Sequence, residues 1–173
     1  MSGLDHAAGV LRLSNRAVNG LIALAVAGLI GFALWQQHVI GIDPCPLCVF
    51  QRLAFVAAGL IALAAAVHGP RRTGRYVYAA GVLLATLAGA VVAVRHLWLQ
   101  SLPADQVPAC GPGIEYLLDQ FPLAEALKIV FAGSGECATV DWQFLGLSMP
   151  GWTLIWYVLL GAAAIFATRR PAV

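Results

Sequence analysis

The chain has 173 residues, 61% of them hydrophobic and 10% charged, where a soluble domain averages roughly a quarter charged residues. That balance excludes a water-soluble globule and makes the bilayer the solvent for most of the chain. A net charge of +2 gives no support for binding to nucleic acid.

The first apolar stretch, near 17–35, follows Arg12 and Arg16. It is long for the apolar region of a secretory signal, and no small-residue cleavage site precedes Trp35-Gln36-Gln37, so it is read as a retained anchor. A short loop, about 36–49, carries Cys45-Pro46-Leu47-Cys48 and leads into a second stretch near 50–68. A loop holding Arg71, Arg72 and Arg75 connects it to a third, near 76–98. A long segment, about 99–149, precedes the fourth, near 150–168, and a tail with Arg169 and Arg170. Each stretch is close to the ~20 residues a helix needs to cross a membrane. In lipid the backbone must satisfy itself, so each is predicted to be a helix. The expectation is an all-α membrane protein, a four-helix transmembrane bundle forming one domain over 1–173.

Within the long segment, Ile114, Leu117, Leu118 and Phe121 follow helical spacing, as do Leu123, Leu127 and Val130, with Pro122 between them. A short amphipathic helix on the membrane surface fits this pattern, and so does ordinary packing on the bundle. Small residues recur every fourth position in the second stretch (Ala58, Ala62, Ala66) and the third (Gly81, Ala85, Gly89), which lets helices approach closely in lipid.

Seven of the ten basic residues fall in the two tails and the loop between stretches two and three. By the positive-inside rule that side is cytoplasmic, with both termini inside. The other side holds most of the acidic residues and all four cysteines. Trp35, Trp98, Trp152 and Trp156 read there as interfacial anchors.

Outside the cytoplasm disulfides persist. Four cysteines allow three pairings, of which proximity favours Cys45 with Cys48 and Cys110 with Cys137. A Cys45–Cys48 bridge closes too short a loop to stabilise much, and Cys-x-x-Cys is typical of redox exchange. A Cys110–Cys137 bridge closes about 28 residues and is worth roughly 3–4 kcal/mol as a staple. Cys48 sits at a predicted helix N-terminus, where unpaired N–H groups favour a thiolate. Arg52, one turn later, suits either a thiolate and a ring carbonyl or the lipid headgroups; both readings fit the spacing. His96, near the same depth on the third stretch, is a candidate to hydrogen-bond a quinone oxygen, against the plainer reading of an interfacial histidine. Arg95 is expected to face headgroups, and nothing singles out His6, His38 or His68. A zinc site is disfavoured, because Cys-x-x-Cys is half of one and Cys110 and Cys137 stand 27 positions apart.

Cys45-Pro46-Leu47-Cys48 followed by Gln51-Arg52, then Arg95-His96, Cys110, Gly135-Glu136-Cys137-Ala138 and the run Trp142 to Pro150 together resemble the disulfide bond formation protein B (DsbB) family of bacterial inner membranes. The resemblance covers nearly the whole chain. It implies a thiol:quinone oxidoreductase that reoxidises a DsbA-like periplasmic thioredoxin-fold partner, with ubiquinone or menaquinone bound non-covalently. It further implies that Cys110 forms the mixed disulfide with the partner, that Cys137 then attacks Cys45, and that Cys48 is released beside the quinone, with Arg52 and His96 on the quinone side. On this reading Cys110 and Cys137 are catalytic, not a staple. Gln51 stands where some relatives carry an acid, and Pro46 fills a variable position. Two alternatives are a vitamin K epoxide reductase-like enzyme, in which Cys-x-x-Cys comes late, and a membrane scaffold with two structural disulfides.

Overall fold

The computed structural model describes residues 14–103, 105–108, 116 and 119–170. His6, Arg12, Cys110, Ile114, Glu115, Leu117 and Leu118 lie outside the described residues.

Four helices are long and apolar enough to cross a membrane. Helix α1, Asn15–Trp35, begins where the Ser14 hydroxyl accepts the Ala17 N–H and continues as a π-helical turn, Gln36–Ile40, closed by Gly41 in the left-handed region. Helix α2, Pro46–His68, has proline in its first turn, where no N–H is needed, and ends at left-handed Gly69. Helix α3 is Thr73–Gln100. Further along lie the short helices α4 (Leu123–Ala132) and α5 (Gly135–Ala138). A hairpin of two-residue strands, β1 (Gln143–Phe144) and β2 (Leu147–Ser148), pairs antiparallel and leads into α6, Met149–Thr168.

The bundle is inside-out relative to a soluble one. Leu24, Val67, Leu84, Val91 and Val158 are well exposed, which is the surface lipid requires. The core is mostly small and aliphatic around one stacked aromatic pair: Val18, Ile22 and Val26 of α1 meet Phe55, Ala58 and Ala62 of α2, Val82 and Ala93 of α3, and Tyr157, Leu160 and Ala164 of α6. Neighbours around the bundle run α1, α2, α3, α6, with α1 and α6 meeting least closely. The buried stripe of α2 runs through Ala58, Gly59, Ala62 and Ala65, so the predicted four-residue repeat drifts by one position, as 3.6 residues per turn requires. At Gly59 an added Cβ would come within 2.7 Å of the Val26 side chain, and at Gly89 it would overlap the Tyr157 ring. Both glycines are contact points, as small residues in membrane helices usually are.

The end carrying the basic residues is stitched by side chains. Asn15 donates to Ala167 O at 2.7 Å, and Arg16 donates to Ala66 O and Val67 O, the last carbonyls of α2. Those carbonyls have no intrahelical partner, so a guanidinium there satisfies them and opposes the helix dipole.

At the cysteine end, Arg95 does the same for α4. It lies over the Trp98 ring and donates to Phe131 O and Ala132 O at 3.1 and 2.9 Å. This corrects the expectation that Arg95 faces headgroups: its guanidinium ties the amphipathic helix to α3. Just beyond, Gly133 has φ +90° and lies against Leu99, leaving no room for a Cβ. Arg95→Ala is expected to speed hydrogen exchange of the α4 amides roughly tenfold, the equivalent of about 1.4 kcal/mol of lost charge-assisted hydrogen bonding. Unchanged exchange in α4 would show that the tether is not holding it.

Candidate functional site

The first-loop cysteines sit at the start of α2. Cys45 caps the helix: its backbone is extended and its sulfur accepts the Cys48 N–H at 3.3 Å. The sulfur that takes a helix N-terminal N–H is therefore that of Cys45, while Cys48 lies inside the first turn. The two Sγ atoms are 2.7 Å apart. Leu47 between them points inward and is fully buried, which turns both sulfurs to one side.

Cys137 reaches the same place from the second loop. Ser134 precedes the single turn of α5, the Cys137 N–H bonds to Ser134 O at 2.9 Å, and Cys137 is fully buried. It packs in one buried cluster with Cys45. Interaction with the Cys45 thiol, helped by backbone groups of Leu47 and Ser134 and opposed by burial, holds the Cys137 thiol down to about 6. The same interaction, then Cys48 and burial, pushes the Cys45 thiol up. Cys45 thus keeps the proton and Cys137 carries the thiolate. In the fully reduced protein, alkylation of Cys137 is expected to rise as the pH passes about 6 and to level off above it, where an ordinary thiol titrates near ~8.5. A half-maximal rate near the ordinary value would mean that Cys45 does not hold the thiolate.

His96 projects from α3 and is buried. Its Nε2 lies 3.8 Å from Cys45 Sγ, and its Nδ1 lies 3.0 Å from the side-chain amide of Gln51. The other end of that amide meets the Thr153 hydroxyl of α6, and Tyr157 donates to Gln51 O at 2.7 Å. Gln51 is buried with all its polar groups engaged, so it reads as the residue that fixes the ring. The Thr153 hydroxyl also lies 2.9 Å from Pro150 O. It can donate there while accepting from Gln51, so the amide suits His96 with the proton on either nitrogen.

Arg52 donates to Gln37 Oε1 and to Ala33 O. These partners hold it against α1 and its π-helical turn, and the headgroup reading is not what the geometry shows. A cavity of about 230 Å³ opens among α1, α2, α6 and the end of α3. Cys48, Arg52, His96 and Gln36 all line it, with Phe55 and Trp156 among its apolar walls. Trp152 also lines it while donating to Phe144 O. Two of the four tryptophans expected to be anchors are therefore cavity walls, while Trp35 and Trp98 stay about half exposed.

Gln36 is the residue sequence reasoning passed over. It is 3% exposed, and its Nε2 has no hydrogen-bond partner among the described residues. A buried unpaired amide costs about 1–3 kcal/mol, so an acceptor in the cavity would be stabilised by it. A polar residue directly following an apolar span was the available signal. Of the sequence-predicted site residues, Cys45, Cys48, Cys137, Arg52 and His96 converge here; Cys110 lies outside the described residues.

A family model described as disulfide bond formation protein DsbB matches residues 15–167. The chain is 57% identical to disulfide bond formation protein B of Hahella chejuensis over 160 residues, covering 92% of this chain and 97% of that one. It is 49% identical to the protein of the same name from Marinobacter nauticus, covering 91% and 94%, and 52% identical to that from Chromobacterium violaceum, covering 85% and 89%.

Proposed function

This chain belongs to the disulfide bond formation protein B family, and from that premise we propose that it reoxidises a DsbA-like thioredoxin-fold protein in the periplasm and passes the electrons to a membrane quinone, ubiquinone or menaquinone. The observation that carries the proposal is the convergence of Cys45, Cys48 and Cys137 in one buried cluster at the start of α2, with Cys45 and Cys48 also lining one apolar cavity. As a member of the family it is a membrane-embedded, disulfide-forming redox protein. The finer roles below rest on the geometry of its own side chains.

The cavity fits a quinone ring. It is mostly apolar, its volume is below the ~300–1,000 Å³ of drug-sized pockets, and Gln36 Nε2 is a buried donor with no acceptor among the described residues. Arg52 and His96 supply further donors on the wall. A bound quinone would serve as the two-electron acceptor, held without a covalent bond.

The chain's own residues carry the exchange. A reduced partner thiolate attacks the Cys110–Cys137 disulfide at Cys110, and the S–S bond breaks to release the Cys137 thiolate. Cys137 packs in the same buried cluster as Cys45, within reach of it. It attacks Cys45 of the Cys45–Cys48 disulfide, and the bond electrons leave with Cys48. The second partner thiol then resolves the mixed disulfide at Cys110, leaving the partner oxidised. Cys110, freed by that resolution, attacks Cys137 of the Cys45–Cys137 bond, restoring Cys110–Cys137 and releasing Cys45, so each exchange trades one S–S bond for another and the two electrons rest on the reduced Cys45/Cys48 pair at the cavity wall. His96 faces Cys45 through Nε2 and is positioned to hold a proton there, oriented by Gln51.

Orientation follows from charge. The basic tails and loop would lie in the cytoplasm, and the cysteine end in the periplasm of a bacterial inner membrane. Trapping tests the relay order. With a reduced thioredoxin-fold partner whose second active-site cysteine is replaced by serine, so that nothing resolves the adduct, the partner is expected to remain bonded to Cys110 of the intact chain. An adduct at Cys45 would overturn that order.

A further inference from the structure

We propose that Cys45, Cys48 and His96, once the two cysteines are reduced, form a chelating site for one soft divalent ion such as Zn²⁺ or Cd²⁺. Spacing along the chain argued against zinc because Cys-x-x-Cys lacked a second half. The fold supplies a third donor from another helix. The three donor atoms lie within 4.8 Å of one another, and Cys45 Sγ and His96 Nε2 are 3.8 Å apart.

Zinc–sulfur and zinc–nitrogen bonds in a tetrahedron place sulfur and nitrogen about 3.6 Å apart and two sulfurs about 3.8 Å apart. The Cys45–His96 separation is close to the first value already. The two sulfurs, at 2.7 Å, must open by about 1 Å to reach the second. That is within the reach of a side-chain rotation at Cys48, which is only partly buried.

Two further features suit an ion. Ligating histidines usually donate their other ring N–H to a fixed acceptor. Here the amide of Gln51 is in hydrogen-bond reach of Nδ1, and turned end for end it presents Oε1, with Thr153 able to serve both orientations. The charge also balances. Two thiolates and a neutral imidazole cancel a divalent ion, so the complex is neutral in a site where Cys45 and His96 are buried and net charge is costly. Binding displaces two thiol protons and involves no electron transfer. The fourth position is open to water or to Cys137. The site is gated by redox state, because a Cys45–Cys48 disulfide removes both sulfur ligands. It depends on the thiols and His96 alone and stands whether or not a quinone fills the neighbouring cavity.

The test is a Cd²⁺ titration of the full chain in detergent, reduced and then freed of reductant without oxygen. The ultraviolet thiolate-to-cadmium charge-transfer band is followed in a Cys110→Ser/Cys137→Ser background, so other thiols cannot contribute. One equivalent is expected to bind the reduced protein and none the oxidised protein. His96→Ala is expected to weaken binding by about 1,000-fold, beyond the ~10–100-fold typical of losing an outer partner. X-ray absorption on the zinc-loaded protein with His96 intact guards against a misfolded variant, and is expected to show one nitrogen and two sulfur ligands. Equal binding in both redox states, unchanged affinity in a folded His96→Ala protein, or a sulfur-only shell would each overturn the proposal.

Discussion

Cys48→Ser is expected to lower steady-state quinol formation by about a thousandfold or more, the scale of loss when a covalent catalytic group is removed. Serine cannot bridge to Cys45, so no second disulfide exists to receive electrons from Cys137. One process survives. The Cys110–Cys137 disulfide can still oxidise one equivalent of reduced partner before the chain stalls. Rapid mixing should therefore show a single-equivalent burst of partner oxidation with no quinol. A scaffold with structural disulfides predicts no turnover to lose, and continued turnover in Cys48→Ser would remove Cys48 from the exit route.

The second large effect is on the bundle itself. Gly89→Ala is expected to destabilise the protein by about 2–3 kcal/mol, the upper part of the range for overpacked cores. The added methyl would overlap the ring of Tyr157. That ring has no space to retreat: it is 1% exposed and stacked on Phe55 with centroids 4.2 Å apart. Its hydroxyl also holds Gln51 O, so displacement travels to the amide beside His96. Thermal unfolding in detergent reads the loss. Removing the ring in a Gly89→Ala/Tyr157→Val protein should cost less than the sum of the single changes, since the clash goes with the ring. Strict additivity would mean that the two residues do not collide.

The four spans and the family were legible because lipid leaves the chain few choices. A stretch of apolar residues near the thickness of the bilayer has to be a helix, and the charge asymmetry suggests its direction. Span two shows where that reading falls short. Its apolar run suggested a start near 50, but the helix begins at Pro46. Proline, usually read as a breaker, is suited to the first turn, and Cys45 caps with its sulfur. The redox motif is thereby part of the helix and not of a loop.

The cysteines, Arg52 and His96 could be named from type and spacing. Their partners could not. Gln51 joins His96 of α3 to Thr153 and Tyr157 of α6, and such a link depends on which helices are neighbours. Arg95 was misread because its acceptors are backbone carbonyls 36 and 37 positions away, and any residue type supplies a carbonyl. Gln36 was missed because a glutamine beside a membrane span has an ordinary interfacial reading. Only its burial and unpaired Nε2 mark it. The same limit applied to the metal ligands, where counting positions between cysteines left out a histidine on another helix.

The central claim is that partner thiols and membrane quinone are coupled through Cys45 and Cys48. The direct measurement is quinol formation by the purified chain in detergent, supplied with quinone and a reduced thioredoxin-fold partner. One quinol per partner oxidised is expected, with turnover lost in Cys48→Ser. Partner oxidation without quinol, or turnover that does not need Cys48, would contradict the account.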